Sequence, residues 1–369
     1  MQTENPFPQE RLVSLDAFRG LTIAGMFVVL NHGTWNREII WDQLFHPEWH
    51  GFTITDLVLP FFIFIVGVAL PFSYDKRLAH GDSFTIQLRH ALKRFVLLVL
   101  FGNILYINAR ATITVNFWGA LQVIGFCYLF AFLTLPLKTR TQALIIAATL
   151  IFYSLVFIVF HPPPGADNPY VFGNNIGTLF DQWLLGQTHP QGYVTINILG
   201  GIPNCILGVM VGKLLKNDLP VRRKIITLLA CGIAGVLVGL AIDPLIPINK
   251  KLWTSSFTVY AGGWSLLFFL LFYWIIDIKG YKRWTLPLVI YGLNPITIYM
   301  INGLWRPWIL YRWSFNTSDG KLVLARAILN PLTDTFGKAA GSYLFTALIV
   351  FFLWSICYWM YRRRIFLKL

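Results

Sequence analysis

Long apolar runs separated by short polar stretches set the pattern of this chain. A run of about 20 apolar residues is what an α-helix needs to cross the hydrocarbon of a bilayer. About ten such runs occur, near 17–33, 54–73, 90–108, 117–137, 142–160, 195–215, 223–242, 257–277, 285–305 and 342–361. They predict an all-α integral membrane protein, a single polytopic domain over residues 1–369, with no soluble domain or internal repeat. The polar stretch "MQTENPFPQERLVSLDAFRG" leads directly into the first run, so that helix is expected to stay in the mature protein.

Two runs carry helix breakers. "TINILGGIPNCILGVMVG" contains Gly200, Gly201 and Pro203, and "LVIYGLNPITIYMING" contains Gly292, Asn294 and Pro295. Proline removes a backbone donor and frees a carbonyl that needs another partner, so these two spans are expected to be irregular. Two connecting segments, Thr34 to Phe52 and His161 to Val194, are long enough to fold over something. The second opens "HPPPGADNPYVFGNN", whose Pro and Gly break any regular period, and it reads as a solvated connector or a lid.

With 56% hydrophobic and 12% charged residues the chain is too apolar for a soluble surface. A net charge of +14 raises the question of a nucleic-acid partner, and the positions of the basic residues decide against it. Of the 30 Lys and Arg, 21 fall at the two termini and in alternate connections, from Arg11 and Arg19 through Lys76, Lys138, Lys213 and Lys279 to Lys368. The segment His161 to Val194 has none. This bias places both termini in the cytoplasm and requires an even number of spans, as ten is. The charges are dispersed over loop ends and form no contiguous face interleaved with aromatics, so no nucleic-acid role is expected. Cys127, Cys205, Cys231 and Cys357 lie in apolar runs without paired spacing and read as small apolar packing residues.

The stretch "LFHPEWHGFTITDLVLPFFIFIVG" then stands out, because this topology puts His46 and His50 outside and Asp56 at the outer mouth of the second span. An ionisable group at the edge of a span is costly and marks a candidate site. An imidazole titrates near neutral pH, which suits His46 as a general base in acyl transfer; the bland alternative is a histidine touching headgroups. Asn31, ending the first span, could donate an amide N–H to a developing oxyanion or simply cap its helix beside Gly33. His32, His46 and His50 lack metal-site spacing, and Pro47 argues against a helix that aligns the last two, so no metal is expected. On the inner side Arg19, Arg89, Lys93 and Arg94 could hold a polyanion such as the phosphates of coenzyme A, or anchor the chain to anionic lipid. No phosphate-cradling glycine loop is present.

These residues also carry a resemblance. "RLVSLDAFRGLTIAGMFVVLNHG", "HPEWHGFTITDLVLPFFIFIVGVAL", "PINKKLWTSSF", "IIDIKG", "YGLNPITIYM" and "RRRIFLKL" occur in order over nearly the whole chain. Together they resemble bacterial relatives of the lysosomal heparan-alpha-glucosaminide N-acetyltransferase family. The resemblance implies acetyl transfer from cytosolic acetyl-CoA to the amine of a terminal glucosamine across the membrane. The family's H-x-x-W-x-G histidine falls on His46, its span-ending asparagine on Asn31, and its D-L-V-x-P-x-F aspartate on Asp56. Arg19, Arg94, Asn249, Lys250, Trp253 and Asn294 stand at further matching positions. Of these, Arg19, Arg94, Trp253 and Asn294, together with Lys93 and Gln122, are the expected coenzyme-binding set. Val123 stands where the family has an arginine, and the luminal domain ahead of the family's first matching span is expected to be lacking. The resemblance also implies a homodimer.

The leading expectation is therefore a multi-pass inner-membrane acetyltransferase acting on an amino sugar at the periplasmic side. His46 is either the base or a transient acetyl carrier, and Asn31 the oxyanion donor. An O-acetyltransferase of an envelope glycan keeps this chemistry, and a sugar transporter built on broken helices is the alternative of another class.

Overall fold

The computed structural model describes residues 12–160, 168–317 and 320–367. Arg11, Lys368 and the stretch 161–167 lie outside the described residues. A backbone in hydrocarbon has no water to bond, so apolar runs of this length close their hydrogen bonds internally as helices. In chain order these are α1 (Val13–Leu30), α2 (Val58–Ala79), α3 (Phe84–Arg110), α4 (Ala120–Leu133), α5 (Thr139–Val159), α6 (Ile176–Leu185) and α7 (Asn197–Lys216). There follow α8 (Val221–Ile242), α9 (Ser255–Phe272), α10 (Leu286–Leu293), α11 (Pro295–Trp305), the hairpin β1 (Ser314–Thr317) and β2 (Gly320–Val323), α12 (Leu324–Phe336) and α13 (Lys338–Arg362). The protein is an all-α membrane protein.

Among the described residues eight helices are long and apolar enough to cross a bilayer: α1, α2 with its leading turn, α3, α5, α7, α8, α9 with its π-helical end, and α13. The pair α10 and α11 supplies a ninth path, bent by 64° at Asn294, as the Asn-Pro pair predicts. The expected fourth span, 117–137, differs. Its helix α4 has 14 residues, about 21 Å of rise against a hydrocarbon core of about 30 Å. The lead-in is not helical, and it is tolerated because Asn116 and Trp118 are buried in protein.

The sixth run is also unlike its expectation, since α7 is continuous through Pro203. Its small residues serve close packing. A methyl group on Gly200 would lie 2.0 Å from the Trp253 carbonyl oxygen, and the Thr258 hydroxyl donates to the Gly200 carbonyl at 2.9 Å in the turn that Pro203 disturbs. The segment His161 to Val194 is more than a connector. After Asn175, whose side chain accepts from Thr178 N–H at 3.1 Å, the run "IGTLFDQWLL" forms α6, and buried Asp181 ties it to the Thr195 N–H. Between the last two spans the chain builds β1, β2 and α12, with α12 packed on α13; no sequence signal singled out this region.

Because successive helices reverse direction, the connections fall on two faces. One carries 31–53, 111–119, 168–196, 243–254 and 306–337, and is called here the histidine face. It is laced by Trp49 Nε1 donating to Tyr170 O (2.7 Å), Gln187 Nε2 to Val115 O (2.9 Å) and Trp41 N–H to Tyr343 Oη (2.9 Å). The opposite, basic face carries the Lys216–Asp75 ion pair and Lys213 Nζ on Leu137 O (2.6 Å). Helices α1, α2, α7 and α9 form the enclosed centre, while α5 and α8 are covered on one side only and present large apolar residues outward. Cys127, Cys205 and Cys357 are buried as expected of packing residues, whereas Cys231 is exposed on α8.

Close approach of α2 and α7 holds the centre together. A methyl group on Gly67 would lie 2.0 Å from the Cys205 carbonyl oxygen, and one on Gly208 would lie 2.1 Å from that of Phe64. Small residues let helix backbones meet where the hydrophobic effect offers no drive. Gly208→Val is therefore expected to cost about 1–3 kcal/mol of stability through overpacking. Gly25→Ala, whose methyl would meet only Val58 Cγ2 at 3.6 Å, is expected to be near neutral. Thermal unfolding of the two detergent-purified variants measures the contrast, and equal losses would contradict it.

Candidate active site

The site grows from the turn that starts the second span. Thr53 precedes a single 3-10 turn, Ile54–Leu57, and the Asp56 carboxylate reaches back to accept from the Thr53 N–H at 3.0 Å. That capping arrangement points the other carboxylate oxygen, Oδ1, toward the preceding loop. The loop is fixed in turn. The Thr53 hydroxyl donates to Phe45 O at 2.7 Å, Thr55 Oγ1 to Gln43 O at 3.0 Å, and Arg37 Nη2 to His46 O at 2.5 Å. His46 is thereby held with Nδ1 at 2.6 Å from Asp56 Oδ1. The carboxylate accepts the Nδ1 proton, which leaves Nε2 as the unprotonated nitrogen.

A third group completes this arrangement from more than 190 residues away. Lys250 Nζ lies 3.6 Å from Asp56 Oδ1 and 3.3 Å from each ring nitrogen of His46. It is carried by the turn "PINKKLW", which docks on the histidine loop. Gly51 N–H donates to Ile248 O at 3.0 Å, Asn249 Nδ2 to Trp49 O at 3.0 Å, and Lys251 Nζ to Glu48 O at 2.5 Å. The Asp56 side chain is 1% exposed and that of Lys250 10%, so the two charges are taken out of water as a pair, while His46 keeps 31%. Burial, with Lys250 second, holds the His46 imidazole below its ordinary value of 6.5, against the opposing hydrogen bond from Asp56. Burial likewise lowers Lys250, opposed by Asp56. At neutral pH the imidazole is thus the neutral form, a base within reach of solvent.

The other expected residues are placed as follows. Asn31 ends α1 and is fully buried. Its amide donates to Phe27 O at 2.8 Å, its side-chain oxygen is without a partner, and no hydrogen bond joins it to His46 or Asp56. His50 turns away from His46 to Asn249. On the basic side Arg19 meets Asp16 at 3.2 Å and the Gly292 carbonyl at 3.5 Å, beside the helix break. Asn294, at that break, clamps the chain end, donating to Ile365 O at 3.0 Å and accepting from Leu367 N–H at 2.9 Å. Arg94 stacks on Tyr128 at 4.5 Å and Lys93 is exposed. Arg19 is carried by α1, which packs chiefly on α2 and α10, and Lys93 and Arg94 by α3, which packs on α4. Trp253 is 1% exposed, has φ +52°, and bonds Asn204 Oδ1 through its indole N–H at 3.1 Å. A bulky residue in the left-handed region is costly, and here the packing of α7 on the turn imposes it. Gln122 is buried, its amide between Gly102 and Gly119 at the wall of a cavity beside α3.

Lys250 was missing from the expected catalytic set. The available signal was the pair Lys250–Lys251 itself, two lysines in a connection that charge bias otherwise assigns to the side poor in basic residues.

A domain family described as a domain of unknown function, DUF5009, matches residues 11–180. Heparan-alpha-glucosaminide N-acetyltransferase of Mus musculus is 26% identical over 82% of this chain and 55% of its own length. The Homo sapiens enzyme of that name is 25% identical over 97% of this chain and 60% of its own length. The chain is a distant relative of these enzymes. It spans somewhat more than half the length of the relatives it matches.

The opposing influences on His46 are separable. Removing Lys250 takes away a positive neighbour, so Lys250→Met is expected to raise the His46 pKa. Asp56→Asn removes the stabiliser of the imidazolium and is expected to lower it further. Histidine-selective NMR titration, with His46→Gln for assignment, reads both shifts. Two shifts of the same sign would refute this electrostatic account.

Proposed function

We propose that the chain is a transmembrane acetyltransferase that takes acetyl from acetyl-CoA at the basic face and delivers it to the amine of an amino sugar at the histidine face. In this reading the whole chain is one membrane domain of a bacterial inner membrane, with the basic face cytoplasmic. The observation that carries the reading is the His46–Asp56 pair at 2.6 Å, held at the edge of a span and backed by a buried Lys250. The similarity to the two N-acetyltransferases supports the reaction class. The partition of basic residues supports coenzyme phosphates at one face and the acceptor at the other.

The chemistry follows from the unprotonated Nε2 of His46. As the acceptor amine attacks the thioester carbonyl, Nε2 removes its proton and Asp56 stabilises the imidazolium that forms. Collapse of the tetrahedral intermediate breaks the C–S bond, and the thiolate leaves with the proton that His46 holds. The Lys250 ammonium is the positive charge nearest the reacting centre, and Asn31 lies at the end of the neighbouring helix; these two are the groups proposed to favour the oxyanion. Arg19, Lys93, Arg94 and Asn294 are proposed to hold the coenzyme side.

The test is transfer of labelled acetyl from acetyl-CoA to glucosamine by purified protein, with wild type and His46→Ala compared. Loss of a general base lowers rates by about two to four orders of magnitude. A drop of that size with acetyl-CoA binding retained is expected. An undiminished rate in His46→Ala would remove the histidine from the mechanism, and failure of the wild type to bind acetyl-CoA would overturn the reading.

A further inference from the structure

A cavity of about 220 Å³ opens among α3, the start of α4 and the end of α11. Its walls are Leu30, Leu105 and Leu121 with the rings of Tyr106 and Tyr299, and three of the polar side chains around it each carry an atom without a partner. Asn302 is 2% exposed and its side-chain oxygen accepts nothing; Asn116 is fully buried and its side-chain Nδ2 donates to nothing. Arg306 opens the π-helical turn Arg306–Leu310 and stacks on Tyr311 at 4.9 Å, with its buried Nε unused. Among the described residues no carboxylate pairs with Arg306, and no Asp or Glu lines the cavity.

A further positive element faces the same space. Helix α4 runs for 14 residues after Gly119, Asn116 Oδ1 takes only the Gly119 N–H at 3.2 Å, and its first residues, Ala120, Leu121 and Gln122, are cavity wall. The first N–H groups of a helix have no partner within it, and the helix dipole makes that end attractive to anions. An uncompensated guanidinium, an unused amide N–H and a helix N-terminus together ask for an oxyanion. The unused Asn302 oxygen asks for a hydroxyl or N–H donor beside it.

We propose that this cavity binds an oxyanion, phosphate or carboxylate, adjoining a hydroxyl group, as found in an acidic saccharide or in the headgroup of a phosphoglycerol lipid. It lies on the histidine face, since Leu30 ends the helix that leads through His32 toward Phe45, whose ring is 5.0 Å from that of His32. It is separate from the His46–Asp56–Lys250 group and goes beyond the acetyltransferase reading, because binding there needs no transfer reaction.

The test uses inorganic phosphate as the probe, titrated calorimetrically into wild type, Arg306→Gln and Asn302→Asp protein in neutral detergent. Asn302→Asp is nearly isosteric and gives Arg306 an internal carboxylate, so it removes anion binding by a route that leaves the packing in place. Both variants are expected to bind phosphate at least about tenfold more weakly, the loss of one charge-assisted hydrogen bond. Wild type and variants with the same isotherm would overturn the proposal, because any remaining binding would then belong to the basic face. The source is read in nanodiscs. If the anion is a headgroup, phosphatidylglycerol suppresses phosphate binding to wild type relative to phosphatidylcholine; if it is soluble, the two lipids give the same isotherm. Both results retain the site and differ only in what fills it.

Discussion

A carboxylate withdrawn from water at the mouth of a membrane span has to be compensated, and the way Asp56 is compensated organises the histidine face. One oxygen is taken by the N–H of Thr53, the other by His46 and Lys250. Each partner belongs to a different stretch of chain, so satisfying one charge pins the 31–53 loop to α2 and brings the turn before α9 onto both. An isolated buried charge costs several kcal/mol, whereas a pair with good hydrogen bonds recovers most of that cost. Removing any one partner would leave another stranded, which is why the three positions act as a unit.

The arrangement is asymmetric across the membrane. At the histidine face charge is buried, balanced and held by short contacts. At the basic face Arg19 and Asn294 sit where α10 and α11 part, their side chains bonded to a carbonyl at the break and to the backbone of the chain end. A break of this kind exposes backbone groups that a continuous helix would hide, and Asn294 turns both of its amide atoms to the chain end that covers the break. The close packing of α1 on α10 and of α2 on α7 fills the region between the faces.

Much of this was legible from residues. Apolar runs of the right length gave the spans and their alternation, and Asn294–Pro295 announced the break because proline disfavours a helical residue before it and fits the first position of a new helix. Pro203 carried the same signal without the same result, because its effect depended on α9: the Thr258 hydroxyl and the Trp253 backbone pack against that turn, and neither is visible from α7 alone. His46 and Asp56 are ten residues apart, and a loop that short brings them together. Lys250 is 204 residues from His46, and its approach depends on how the turn "PINKKLW" docks, which no local pattern specifies. Trp253 and Gln122 fit a binding role by residue type, and what each one faces depends on packing: Trp253 is enclosed between α7 and its own turn, whereas Gln122 lines the cavity beside α3.

Charge balance at His46 bears on the direction of a proton rather than on the identity of a substrate. With the imidazole neutral, Asp56 and Lys250 cancel; once it is protonated the group carries a net positive charge in a poorly solvated setting. Asp56 at 2.6 Å favours that state, and Lys250 at 3.3 Å opposes it. A base tuned in this way takes a proton from an attacking nucleophile and readily returns it. In acyl transfer from a thioester the group that needs it back is the departing thiolate, and the same ammonium that speeds the return attracts the oxyanion formed between the two proton transfers. On the acyltransferase reading proposed above, Lys250 would reconcile two demands on one histidine: to be neutral at rest, and to hold its proton only as long as the tetrahedral intermediate lasts.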